Sequence, residues 1–69
     1  MEKTWDTDEF GEVTLRGAML DTNGTDLVDG IEILIDGELR GEIQGMTFSQ
    51  VQDLNEDEVE DLIEFQIEF

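Results

Sequence analysis

The 69-residue chain predicts a small two-layer α+β domain: an antiparallel sheet of about four strands with one helix on one face, in the order β-β-β-α-β. Three observations carry that expectation. Apolar and polar residues alternate in three segments before residue 45 and again from Ile63 to Phe69. Between them, Phe48, Val51 and Leu54 recur at helical spacing. Dense turn formers separate the alternating segments, and the chain has no proline to interrupt them. Residues 1–69 read as one acidic domain, since no linker or internal repeat divides them, and 1–10 as a mobile lead or an extra strand.

The elements follow in order. Residues 1–10 are polar and acidic, with Trp5 and Phe10 as large apolar groups; Trp5 is expected to lid a small core. From Glu12 to Leu20, Val13, Leu15, Gly17 and Met19 share one face, and Thr14, Arg16 and Ala18 the other. The run Asp21 to Asp26 is a turn centred on Asn23-Gly24. A second strand spans about Leu27 to Ile35, with Ile31, Ile33 and Ile35 on one face. At Asp36-Gly37 a three-residue hairpin loop is expected: Leu34 pairs with Glu38, Ile33 sits beside Leu39 and Glu32 beside Arg40, which keeps one face apolar. The third strand runs from about Glu38 to Gln44, and Gly45 ends it. Thr47 and Gln50 form a capping box for a helix. Asn55 either ends that helix or caps a second turn through Val59 and Leu62, so continuity over 47–62 stays open. Ile63, Phe65, Ile67 and Phe69 alternate with Glu64, Gln66 and Glu68 as a fourth strand. On a sheet edge, that strand would offer a second copy a pairing surface.

Charge sets the functional expectation. Twenty acidic residues against three basic ones give a formal net charge of −17. A compact chain of 7.9 kDa exposes roughly 4,400 Å², or about one net charge per 260 Å²; duplex DNA, as a cylinder of roughly 10 Å radius, carries about one per 110 Å². Self-repulsion of that size works against compactness, which points to a use for the charge. Its unbalanced part is a run of eight acids, Asp53, Glu56, Asp57, Glu58, Glu60, Asp61, Glu64 and Glu68, with no basic residue after Arg40. A solvated helix face ordinarily interleaves opposite charges three or four apart; here the neighbours repel, so these eight are the candidate partner-binding residues. Arg16 and Arg40 read as structural partners of acids on the outer sheet face.

A second constellation lies in the turn. Asp21, Asn23, Thr25, Asp29 and Glu32 occupy positions 1, 3, 5, 9 and 12 of a twelve-residue frame with Val28 at the eighth. This resembles the calcium loop of EF-hand proteins. It departs where the sharp turn requires glycine, since Asp26 stands there, and its flanks read as strands. The resemblance implies a calcium-binding module as an alternative function.

Other classes find little footing. Without cysteine or histidine there is no disulfide framework, no cysteine-ligated zinc and no histidine base. The one serine, Ser49, has no nucleophile-activating pattern around it, and no glycine-rich phosphate loop occurs. The chain is expected to be non-enzymatic and to need no cofactor. Met1 to Phe10 does not read as a signal peptide, no apolar stretch has membrane-spanning length, and anionic lipid and nucleic acid would repel the chain. The expected setting is the cytoplasm, that of a host cell if a phage encodes the chain. The expected partner is a basic nucleic-acid-binding protein, such as a restriction, CRISPR or repair enzyme, whose groove the acidic surface would block. In composition alone the chain resembles small acidic inhibitors of phages and mobile elements. A halophile-adapted domain is a further alternative, although the single alanine and the abundance of isoleucine do not favour it.

Overall fold

The computed structural model describes residues 1–22, 24 and 26–68. It is an α+β domain in which one four-stranded antiparallel sheet carries a helical layer on one face. The strands are β1 (Glu2–Thr7), β2 (Gly11–Thr22), β3 (Asp26–Ile35) and β4 (Glu38–Gln44), in that spatial order. Helices α1 (Phe48–Val51) and α2 (Glu56–Ile63) follow, and α2 runs on into a π-helical segment, Glu64–Glu68. The order is therefore β-β-β-β-α-α, which corrects the expected β-β-β-α-β.

The fourth strand stands at the start of the chain, not at its end. Residues 1–10 contribute β1, paired with β2 in the register Lys3↔Leu15, Trp5↔Val13 and Thr7↔Gly11. Trp5 and Thr7 are buried while Glu2, Thr4 and Asp6 alternate with them. The turn is closed by Thr7, whose hydroxyl donates to the Gly11 carbonyl (2.9 Å) and accepts from the Phe10 N–H (3.1 Å).

The segment expected as a terminal strand is helical instead. Asn55 caps α2: its side chain accepts from the Glu58 N–H (2.9 Å), and its own N–H donates to Glu58 Oε1 (3.0 Å). Glu56, Asp57 and Glu58 fill the first turn, where carboxylates favour the helix dipole. Val59 and Ile63, four apart, are fully buried against the sheet. That spacing carries the helix through Ile63 and leaves Phe65 mostly exposed (65%). A homodimer through a C-terminal strand loses its basis, since Glu64–Glu68 forms no strand; Phe69 lies outside the described residues. The Thr47–Gln50 capping box opens α1 as expected, the Thr47 N–H donating to Gln50 Oε1 (2.8 Å). The 47–62 helix is two helices, broken at Asn55.

The second correction concerns the hairpin. Asp36 (φ 52°) and Gly37 (φ 85°) are both left-handed, as a two-residue type I′ turn requires. Ile35 therefore pairs with Glu38, and Leu34 with Leu39. The register then shifts by one at Ile33/Leu34, so that Ile33 pairs with Gly41, Ile31 with Ile43, and Glu32 with Glu42. Arg40 is the extra residue of this bulge. The turn takes the loop whose twist suits the strands, and the bulge restores the apolar face. Arg40 consequently reaches Glu38 (3.5 Å), not Glu32. Glu32 is held by Arg16, its neighbour on β2, at 2.8 Å.

Core residues Val13, Leu15, Ile31, Ile33 and Ile43 from the sheet meet Val51, Val59 and Ile63 from the helices. Trp5 lids this core; its Nε1–H donates to the Leu54 carbonyl (2.8 Å). Met19, expected on the apolar face with Gly17, is 56% exposed because the helical layer reaches only as far as Phe48 over Gly17. Leu20 is buried on the opposite face, lying over Gly30. A Cβ at Gly30 would overlap Leu20 Cδ1 and come within 2.9 Å of the Ile43 carbonyl oxygen. Gly30→Val should therefore destabilise the domain by about 1–3 kcal/mol. An unchanged urea midpoint would contradict this packing.

Candidate functional site

The eight acids of the predicted site follow the helical layer. Asp53 is exposed between α1 and α2, and Glu56, Asp57, Glu58 and Asp61 are exposed on α2. With 3.6 residues per turn, Asp57 and Asp61 stand opposite the buried pair Val59 and Ile63 and form the helix crest. Glu64 continues that crest into the π-helical segment, which Glu68 ends. Asp57, Asp61 and Glu64 lie about 6 and 4.5 Å apart along the axis. Glu58 is held in the Asn55 cap, so its carboxylate is structural as well as charged. Asp53, Glu56, Asp57, Glu58 and Asp61, all exposed, with the half-buried Glu64, thus form an acidic ridge on the helical layer.

Glu60 lies on the flank of α2 and extends the ridge to a part of the chain that sequence reasoning left out. Its Oε2 accepts the Glu9 backbone N–H at 2.8 Å, across 51 positions of sequence. This bond sets the β1–β2 turn, with Asp8 and Glu9, beside the ridge. Past that turn, Glu12 pairs with Asp6 across β1–β2, and its carbonyl accepts the Asp36 N–H (2.9 Å). Asp6, Asp8, Glu9, Glu12, Asp36 and Glu60 are therefore gathered at one end of the molecule. The only signal for this in sequence is the Lys3-Trp5-Thr7 alternation followed by Gly11, whose φ of 76° permits the turn.

The three cations have structural posts. Lys3 donates to the Gln52 carbonyl (2.8 Å) near the end of α1 and lies 5.1 Å from the centre of the Trp5 ring. Arg16 and Arg40 bind Glu32 and Glu38. An open cleft of about 490 Å³ lies between Lys3, Trp5, Leu54, Asn55, Glu56 and Asp57. With 4504 Å² of accessible surface, the molecule carries one net negative charge per about 265 Å².

The calcium-loop residues fall along the β2–β3 hairpin. Asn23 and Thr25 lie outside the described residues. Asp21 accepts the Gly24 N–H (2.9 Å), Asp29 pairs with Met19, and Glu32 is bound to Arg16. Strands flank the loop where the EF-hand pattern has helices. Among the described residues no group of three or more acidic side chains is placed to hold a metal ion.

The open sheet face has a pattern of its own. Cross-strand pairing aligns Thr4, Thr14, Leu34 and Leu39 in a row over all four strands. The Thr4 and Thr14 hydroxyls bond each other at 2.9 Å. On one side lies the row Glu2, Arg16, Glu32 and Glu42; on the other, Asp6 and Glu12 with Asp36 at the turn.

No family model, curated protein or solved structure matches the chain. No described helix is long and apolar enough to cross a membrane.

Proposed function

We propose that the protein is a non-enzymatic acidic DNA mimic, which inhibits a basic nucleic-acid-binding protein by occupying its nucleic-acid groove. The observation that carries this reading is the joining of two acidic segments by the Glu60–Glu9 hydrogen bond. It sets Asp8 and Glu9 of the β1–β2 turn against the flank of the charged helix, whose crest carboxylates are spaced on the scale of a single helical turn. Such a surface steers association with a basic groove over long range and loses that advantage as salt rises. An acidic protein binding some other basic partner would use the same charges, so the distinction lies in competition with DNA.

Affinity capture from a bacterial lysate, followed by binding measurements with the retained protein, tests the proposal. The expected partner is a nucleic-acid enzyme or DNA-binding protein whose affinity falls at least tenfold between about 50 mM and about 500 mM salt. Unchanged affinity across that range would contradict electrostatic mimicry.

A further inference from the structure

We propose that the open face of the sheet is a second docking surface, which receives a basic amphipathic helix of a protein partner. The inference goes beyond the DNA-mimic reading, because this face is opposite the helical layer and uses none of the α2 carboxylates. The row Thr4–Thr14–Leu34–Leu39 forms an uncharged floor, apolar at its β3–β4 end, where Leu39 is 53% exposed. On β1 the flanking carboxylates Glu2 and Asp6 lie four residues apart, about 14 Å; Glu32 and the turn residue Asp36 have the same spacing at β3, while β4 carries only Glu42 on one side. A helix with its side chains is about 10–12 Å across, so it fits between the rows. The floor spans three strand spacings, also about 14 Å, the length of roughly nine helical residues.

Charge selects the occupant. Arg16 already engages Glu32, which leaves Glu2 and Glu42 on one flank and Asp6, Glu12 and Asp36 on the other, so lysines or arginines on an incoming helix would meet carboxylates on both sides while its apolar face covers Leu34 and Leu39. A second copy cannot supply that helix, since its own α2 carries carboxylates and no basic residue. A nucleic acid or an anionic membrane would face the same repulsion.

The test titrates the isotopically labelled full chain with a synthetic helical peptide of four turns, with leucines on one face and lysines flanking them. Amide shifts should concentrate on Thr4, Thr14, Leu34 and Leu39. Leu39→Lys and Thr14→Lys, tested separately and each confirmed folded by circular dichroism, should each weaken binding roughly tenfold. Neutralising Asp57, Asp61 and Glu64 should change it less than about threefold. A scrambled peptide of equal composition that binds as well, shifts confined to α2 and the β1–β2 turn, or affinities untouched by both sheet variants would each overturn the assignment. Self-association abolished by Leu39→Lys would give the face to a second copy, and likewise overturn it.

Discussion

Trp5→Ala is expected to cost about 3–5 kcal/mol, the usual range for truncating a buried aromatic. Folded domains hold about 0.05–0.15 kcal/mol per residue, so a chain of 69 residues has roughly 3–10 kcal/mol in all. The substitution should therefore leave much of the population unfolded at room temperature. Two losses combine: the ring leaves the lid of the core, and the Leu54 carbonyl loses its donor at the junction of the two helices. Trp5→Phe separates them, because it keeps most of the apolar bulk and forfeits the hydrogen bond; about 1–2 kcal/mol is expected. Urea unfolding followed by circular dichroism reads both. A loss below about 1 kcal/mol for Trp5→Ala would mean that β1 and its tryptophan do not close the core.

The second large effect is a separation of binding from stability. The triple variant Asp57→Asn, Asp61→Asn and Glu64→Gln removes three carboxylates from the crest of the ridge, where none is engaged in the Asn55 cap or the Glu9 contact. Asp57–Asp61 and Asp61–Glu64 are like-charge pairs four and three apart, and relieving each gains a few tenths of a kcal/mol. Neutralising Asp57 also gives up its first-turn attraction to the helix dipole, a loss of similar size, so stability should change little. Affinity for the basic partner should fall, roughly 10- to 100-fold at about 0.5–1 kcal/mol per exposed ion pair lost. A folded variant with unaltered affinity would remove the crest from the binding surface. A clear loss of stability would show instead that these acids hold the fold.

The fold was legible wherever one signal acted alone. Ile31, Ile33 and Ile35 alternate without competition, and the Thr47–Gln50 box has one mechanism. It was misread where two signals competed. At Asp36-Gly37 the demand for an uninterrupted apolar face argued against a two-residue loop; the chain satisfies both by inserting Arg40 as a bulge, which a pattern of alternation does not encode. From Ile63 onward the alternation is genuine, but Ile63 also falls four residues after Val59. A well-capped helix already under way continues through Ile63, so the place of the fourth strand goes to another segment. That place had gone to β1, whose alternation is hidden by small and charged residues. The acidic ridge was visible because its members are neighbours in sequence. The β1–β2 turn beside it was not, because only the tertiary contact of Glu9 with Glu60 brings it there. The apolar row on the open sheet face depends on register, which the hairpin misassigned.

Mutual exclusion on the captured partner tests the central claim most directly. The partner, saturated with fluorescent duplex DNA, is titrated with the acidic protein while DNA release and complex mass are followed together. A DNA mimic should release the DNA stoichiometrically and form only binary complexes, with the Asp57/Asp61/Glu64 variant shifting the curve to higher concentration. A stable ternary complex, with DNA still bound while the acidic protein occupies the partner, would contradict it.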